Sequence, residues 1–376
     1  MKLQIHKDTL LALVKKVQGA LSEKSLAHIS LKGSLNELHL SAADRVVAIY
    51  VSSACKTHEE GESFVAAKLF SDVVRELPQE EILIESKNNS LIINSLGGSN
   101  FSMKLPQIES LKWPEPPEIE KDSITVRLPA EKLAYALEQA GFCITQESPR
   151  NYASVGFFHR HSPKELRLVG TDGFRLSYCS IQLKDLPEGF LSKGVSLSKR
   201  ALNELLKLCY ESEGGEISFS LSTQGRRALA EVEGYKIYTL LSAVKYPNYK
   251  TVLPKKLTSQ VSVPRPVLQA VIRRLLLAAD KTRALLLSFS NGHLQLSSKT
   301  LGSTEGHENI QIKGYNGVSC ALALNGKFLT DIFSTAASDN LTISFASEDQ
   351  AVSFAAEKEP EGCVSEHILV PIRESK

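Results

Sequence analysis

Val169-Gly170-Thr171-Asp172-Gly173-Phe174-Arg175-Leu176 is the stretch on which the reading of this chain turns. An apolar strand, Glu165 to Val169, leads into it, and an alternating strand, Arg175 to Ile181, leads out. Asp-Gly between two such strands predicts a β-hairpin, because glycine accepts the positive φ that a tight two-residue turn requires. A weaker copy, Ser41-Ala42-Ala43-Asp44-Arg45-Val46, sits in a similar setting. The hairpin is therefore one beat of a longer internal repeat.

Working outward, the repeat has three passes. Lys2 to Leu21 reads as a short strand followed by Leu10, Val14, Val17 and Leu21 at helical spacing. Thr125 to Ile144 does the same with Leu133, Leu137, Ala140 and Ile144, and Gln260 to Ala279 with Leu268, Ile272, Leu275 and Ala279. Each pass continues with strands, then a second amphipathic helix introduced by a strand (Phe64 to Leu77, Val195 to Leu208, Ala321 to Ala336), then closing strands. Lys112-Trp113-Pro114 and Lys245-Tyr246-Pro247 punctuate the boundaries, which predicts domains at 1–121, 122–256 and 257–376. The fold class is α+β: three repeated domains, each with two helices packed on antiparallel sheet. Strand-rich units in series leave edges that pair with the next unit, and a head-to-tail series that closes is a ring.

Composition narrows the function. The 376 residues carry 44 Lys+Arg against 42 Asp+Glu, a net charge of +2, so any nucleic-acid contact depends on where the charges sit. Six scattered cysteines without Cys-x-x-Cys spacing fit a reducing cytoplasm, and Met1 to His6 lacks a signal-peptide core. No phosphate loop, dinucleotide fingerprint, nucleophile elbow or His-Glu-x-x-His is present, so no enzyme, cofactor or metal is expected. His159 and His161 lack a third metal ligand and read as a polar loop before Ser162-Pro163. Asp172 beside Arg175 reads as a turn aspartate bonding to nearby backbone, with an acid and its partner as the alternative.

Charge does recur along the repeat. Lys15-Lys16 aligns with Arg273-Arg274 on the first helices, with Glu138-Gln139 between them in the second copy. Lys68, Arg200 (after Lys199) and Lys327 recur near the start of the second helices, against the sense of the helix dipole. Solvated helix faces account for any one of these; a shared basic lining that touches phosphates without reading bases accounts for the recurrence. The ending Ile368-Leu369-Val370-Pro371-Ile372-Arg373 is apolar, either a closing strand stopped by proline or one wall of an exposed groove that takes a peptide.

With these residues in view, the chain resembles the bacterial sliding-clamp family, the beta subunits of DNA polymerase III. The marks are Thr171-Asp172-Gly173-Phe174-Arg175-Leu176, the run Tyr246-Pro247-Asn248-Tyr249-Lys250-Thr251-Val252-Leu253-Pro254, and Val370-Pro371-Ile372-Arg373. The resemblance covers nearly the whole length. It implies a non-catalytic processivity factor: a homodimeric ring around double-stranded DNA, placed there by a clamp loader complex. The ring tethers the polymerase III alpha subunit, and other polymerases or repair proteins that carry clamp-binding motifs.

The resemblance also assigns residues. The groove would be built by Ala153, Thr171, Gly173, Phe174, Arg175, Leu176, Pro247, Val252, Ile368, Val370, Pro371, Ile372 and Arg373. Phe174 stands where the family often has histidine and Thr251 where it often has arginine, and Glu374-Ser375-Lys376 extends past the usual ending. DNA-facing positions would be Lys24, Lys68, Arg150, Tyr152, Lys199 and Arg200. The subunit interface would set Val73 and Leu77 against Leu276 and Leu277, with Glu305 and Glu308 at its rim.

Overall fold

The computed structural model describes every residue except 22–26, 109–122, 147, 149, 223–225, 300–303, 313–314, 316–318 and 373–376. Lys24, the Lys112-Trp113-Pro114 punctuation, the 121/122 boundary, Arg373 and the extension Glu374-Ser375-Lys376 thus lie outside the described residues.

The first repeat runs β1 (Lys2–His6), α1 (Lys7–Val17), β2 (His28–Ser34), β3 (Glu37–Ala43), β4 (Val47–Ala54), β5 (Lys56–Glu59), β6 (Gly61–Ala66), α2 (Ala67–Glu76), β7 (Glu81–Lys87), β8 (Ser90–Ser95) and β9 (Ser102–Pro106). The second has β10 (Ile124–Pro129), α3 (Ala130–Gly141), β11 (Val155–Ser162), β12 (Glu165–Thr171), β13 (Arg175–Gln182), β14 (Val195–Ser198), α4 (Lys199–Glu211), β15 (Glu216–Leu221), β16 (Arg227–Val232) and β17 (Tyr235–Leu240). The third has β18 (Ser259–Pro264), α5 (Arg265–Leu275), β19 (Ala284–Ser290), β20 (His293–Lys299), β21 (Glu305–Gln311), β22 (Cys320–Asn325), α6 (Gly326–Thr335), β23 (Asn340–Phe345), β24 (Val352–Ala356) and β25 (Cys363–Leu369).

Local chemistry sets the helices. On α1, His6 accepts a cap bond from the Asp8 amide, Asp8 sits in the first turn, and Leu10, Leu13, Val14 and Val17 are buried at helical spacing. Pro266 opens α5, where a missing N–H is harmless, and Leu268, Val271, Ile272 and Leu275 face inward. Asn325 caps α6 by accepting from Lys327 and Phe328 amides at 2.9 and 3.2 Å.

All named strand pairs are antiparallel, and each repeat divides its strands between two sheets. Its first and closing strands form one sheet, and the strands between its helices form the other, except that β5 joins the first sheet beside β1. The orders are β5-β1-β7-β8-β9, β10-β15-β16-β17-β4-β3-β2-β6, β14-β11-β12-β13-β25-β24-β23-β18 and β21-β20-β19-β22. Each eight-stranded sheet therefore spans two repeats, joined at β17–β4 and at β13–β25. The chain accordingly divides into two compact units, Met1–Ala130 with Lys207–Leu241, and Glu131–Leu206 with Ser242–Lys376. The second repeat gives one sheet to each unit.

Two expectations need correction. His159 and His161 lie on β11, not on a loop. His159 is buried with its Nε2 2.8 Å from the Tyr249 hydroxyl, and burial lowers its pKa to about 4. A histidine that finds an internal partner can occupy a strand that polarity alone would exclude. The 171–176 hairpin is closed by a longer loop than two residues, because Thr171 pairs with Leu176 and only Gly173 has positive φ, at 88°. The polar strand β21 has no alternating signature and was not expected.

The β13–β25 joint contains His367, fully buried. Its Nδ1 lies 2.6 Å from Ser177 Oγ, which in turn donates to the Gln139 carbonyl, and its ring meets Phe142 edge-on. Nε2 has no hydrogen-bond partner among the described residues, and burial lowers the pKa to about 4. Since the unfolded imidazole titrates near 6.5, its contribution to stability is complete above that pH and is lost as pH falls from 6.5 toward 4. The difference in unfolding free energy between the protein and His367→Gln should shrink by on the order of 3 kcal/mol across that window. Urea titrations at several pH values test it, and parallel pH profiles for the two proteins would refute it.

Candidate functional site

The loop between β12 and β13 is organised by one carboxylate. Asp172 Oδ1 accepts from the Phe174 and Arg175 amides at 2.9 and 3.0 Å, and the Thr171 hydroxyl donates to the Arg175 carbonyl at 2.6 Å. Asp172 is thus a turn aspartate. These bonds push Phe174 outward, 59% exposed. The chain after β25 runs beside it: the Val370 amide donates to the Phe174 carbonyl at 3.4 Å, and the Ile372 amide to the Ala323 carbonyl at 2.7 Å.

Together these segments make an apolar surface with lips and a floor. The lips are Phe174, Val370 (52% exposed) and Val252 (54% exposed), with Pro247 exposed and Ile372 half-buried nearby in sequence. Val169, Leu176, Tyr249 and Ile368 form a small cluster beneath, flanked by Phe157, Tyr178, Tyr246, Leu253 and Ala351. Tyr246 stacks on Phe157 at 4.8 Å and 8° and donates to the Val169 carbonyl, which pins the 246–252 segment to the sheet. Thr171, Leu176, Ile368 and Pro371 are buried, so they shape the surface more than they present area. Ala153 is fully buried and its carbonyl accepts from Thr145, a supporting position. Large exposed apolar groups clustered on one face mark an interaction surface.

Arg175 was expected to line this surface, and its side chain does something else. It points to the helix face, where Nε bonds Asp172 at 2.9 Å and Nη1 bonds Asp331 on α6 at 2.6 Å. The guanidinium lies 5.2 Å from the Phe142 ring centroid and 4.3 Å from that of Phe328. Burial opposes its charge, but Cys143, Asp331 and Asp172 hold its pKa above the ordinary value. Residues alternate across a strand, so Leu176 faces the floor and Arg175 must face the helices. Arg175 therefore ties the hairpin that carries Phe174 to the third repeat. Phe328 and Asp331 were missed because nothing in the local sequence marks them.

The basic positions separate in the same way. Lys68, Arg200 and Lys327 each occupy the second residue of α2, α4 and α6, and Lys68 and Lys327 are exposed. Lys199 instead donates to the Gly141 carbonyl at the end of α3, where a cation meets the negative end of the helix, and burial lowers its pKa. Arg150 lies 5.1 Å from the Phe174 ring centroid, and Tyr152 Oη comes within 3.2 Å of where a Cβ on Gly173 would sit, so both attend the hairpin. On the first helices Lys15 and Arg273 are exposed, whereas Lys16 pairs with Glu211 at 2.8 Å and Arg274 with Glu308 at 2.7 and 2.6 Å. Gln139, the equivalent in α3, is buried and donates to the Thr335 carbonyl.

Of the expected interface residues, Val73 and Leu77 are buried within their own chain and Leu276 is half-buried, while Leu277 is 88% exposed. The strands β9 and β21 are sheet edges, each with one neighbour among the described residues. A hollow of about 400 Å³ between α3, α4 and α6 lies on the helix side, lined by Glu138, Lys199 and Asn203, away from Phe174 and Val370.

Three sequence models of one family cover the chain: the N-terminal domain of the DNA polymerase III beta subunit at residues 1–113, the central domain at 127–248 and the C-terminal domain at 250–372. Among curated proteins, the beta sliding clamp of Proteus mirabilis is 26% identical over 99% of this chain and 100% of its own length. That of Helicobacter pylori is 28% identical over 86% and 87%. Among solved structures, a sliding clamp from Pseudomonas aeruginosa bound to griselimycin superimposes with a TM-score of 0.89 over 100% of both chains at 21% identity. The DNA polymerase III beta subunit of Thermotoga maritima does so with a TM-score of 0.89 at 19% identity, also over 100% of both. These likenesses in structure establish the fold.

Removing the Arg175 side chain leaves Asp172 and Asp331 facing each other without their cation. Arg175→Ala should cost about 3 kcal/mol of unfolding free energy, and Arg175→Lys should recover less than half, since an ammonium cannot reach both carboxylates as a planar fork does. Lys16→Ala, at a more exposed pair, should cost under about 1 kcal/mol. Guanidinium unfolding midpoints test the order, and equal losses for Arg175→Ala and Lys16→Ala would contradict it.

Proposed function

The chain belongs to the DNA polymerase III beta subunit family, the sliding clamps, and from that premise we propose that two copies close into a ring around duplex DNA. Members of this family are non-catalytic processivity factors, and this chain is one. The three repeats correspond to domains 1–121, 122–256 and 257–376, a division supported by family matches at 1–113, 127–248 and 250–372.

One observation carries the ring. β4 of the first repeat pairs with β17 of the second, and β13 of the second pairs with β25 of the third. In the order of elements, β21 is the third repeat's counterpart of β4 and β13, and β9 is the first repeat's counterpart of β17 and β25. One donor edge and one acceptor edge are therefore left over on every chain. A second copy supplies both missing partners at once, and two such joints make a closed, two-fold assembly in which every repeat is paired with the one before and the one after it. Leu277, on the segment after α5, is the exposed apolar group that this joint would cover.

Within the ring, Lys68, Arg200 and Lys327, with Lys15 and Arg273, face the duplex and touch phosphates only. Contacts of that kind leave the protein free to slide. Retention then comes from topology, so affinity can stay low. The surface of Phe174, Val252, Val370, Pro371 and Ile372 receives a short apolar segment of the polymerase alpha subunit, and of other polymerases and repair proteins in turn. A clamp loader opens the ring onto primed DNA, and the protein works in the cytoplasm.

On nicked circular DNA the loaded protein should stay bound through gel filtration, and linearising the circle should release it; equal loss from both would contradict the ring. Deleting Val370 to Lys376 should abolish binding of a polymerase-derived peptide while the particle mass stays that of two chains. Peptide affinity that survives the deletion would overturn the groove assignment.

A further inference from the structure

The β4–β17 joint repeats the geometry of the β13–β25 joint down to single hydrogen bonds. Asp44 Oδ1 accepts from the Val46 and Val47 amides, both at 2.8 Å, as Asp172 does from Phe174 and Arg175. The Leu240 amide donates to the Val46 carbonyl at 2.9 Å, as the Val370 amide does to Phe174. Register confirms the correspondence: Ala43 pairs with Ala48 as Thr171 pairs with Leu176, and Val47 with Thr239 as Arg175 with Leu369. Val46 and Leu240 are thus the counterparts of Phe174 and Val370, and they too stand out from the surface, 37% and 44% exposed.

The floor differs in a way that opens space. Ala48 stands where the other joint has Leu176, and Tyr238 where it has Ile368. The result is a depression of about 150 Å³ between the lips, which shares Tyr50 and Tyr238 with a larger hollow of about 650 Å³ alongside. The two tyrosine rings meet edge-on at 5.5 Å, and burial raises the Tyr50 pKa to about 12, so both hydroxyls stay neutral donors. Arg45 and Arg227, both exposed, line the depression. Its one carboxylate, Asp44, has Oδ1 engaged by the turn amides. Lys32 and Lys236 line the neighbouring hollow, the latter paired with Glu231 at 3.2 Å.

We propose that this joint is a second peptide site, which takes a short acidic–apolar segment of a partner protein: apolar side chains between Val46 and Leu240, carboxylates on Arg45 and Arg227. The inference rests on reading the Phe174–Val370 surface as a peptide groove, and it gives each chain two docking points of one design but different size. The smaller lips and looser floor make the second site the weaker one, and its arginines make it the more salt-sensitive. Two partners, or two segments of one partner, can then be held by one chain at once.

The test is titration of the full-length protein with a fluorescein-labelled hexapeptide of alternating aspartate and leucine, followed by anisotropy and calorimetry. The expected result is two peptides per chain. Val370→Asp should remove the tighter site, Leu240→Asp the weaker, and Arg45→Glu should weaken the latter at least tenfold at low salt. Arg45 lies on an exposed loop, so that variant keeps the test sound if Leu240→Asp disturbs folding. A single site lost with Val370→Asp and untouched by Leu240→Asp and Arg45→Glu would overturn the second site and leave the groove reading intact. A single site lost with Leu240→Asp alone would overturn the groove reading, and with it the two docking points per chain that rest on that reading. Binding that no variant alters, or no binding, would overturn both. A single-stranded 12-mer oligonucleotide bound through Arg45 and Arg227 in place of the peptide would overturn the second site alone.

Discussion

An antiparallel sheet is satisfied only when its edges are, and that requirement shapes this molecule at every scale. Each repeat is built so that one sheet ends in a strand offered to the next repeat and the other ends in a strand offered to the previous one. Within the chain the requirement is met twice, through seven paired positions between β13 and β25 and five between β4 and β17. The main-chain bonds at those joints set how repeats follow one another, and the side chains only reinforce them. Of the strands that occupy the joint positions of the repeat, β9 and β21 have no partner from another repeat among the described residues. In the proposed ring, dimerisation is the same interaction used a third time, between molecules.

Side-chain chemistry distinguishes joints that the backbone makes alike. At β13–β25 a buried arginine holds two carboxylates and lies against two aromatic rings, and a buried neutral histidine sits on a serine. At β4–β17 the comparable helix contact is a half-exposed Lys16–Glu211 pair, with the lysine also 5.4 Å from the Tyr235 ring centroid. The more buried set is the more geometrically demanding, because removing Arg175 leaves the nearly buried Asp172 carboxylate without its cation. It stands beneath the hairpin that presents Phe174, so the lip with the greatest exposure is also the one with the most rigid support. The other joint has looser support and a shallower lip.

Much of this was legible in the residues. Helical spacing placed the six α-helices of the described residues, because buried positions three and four apart on a surface helix leave a strong period. The Asp-Gly loop and its Asp-Arg copy were legible as matching hairpins, because a turn aspartate acts on backbone only two and three residues away; that each hairpin stands at a joint between repeats was not. Less legible were properties that depend on distant partners. Lys199 and Arg200 are neighbours of one charge, yet one ends against the Gly141 carbonyl and the other stays with the recurring basic series. Arg175 belongs to a motif that suggests a surface, but strand alternation turns it to the helices, where Asp331 lies 156 positions away. His159 looked too polar for a strand until Tyr249, 90 positions on, supplied its bond. Val73 and Leu77 carry the hydrophobicity of an interface, and that both are buried within their own chain was not legible in the sequence.

The claim on which the account stands is that the leftover edges close on a second molecule and stop there. Sedimentation equilibrium over a wide concentration range addresses it most directly. The account predicts one species of twice the 41.2 kDa chain mass, with no larger species as concentration rises. A particle of one chain mass throughout, or a series that grows without limit, would contradict it.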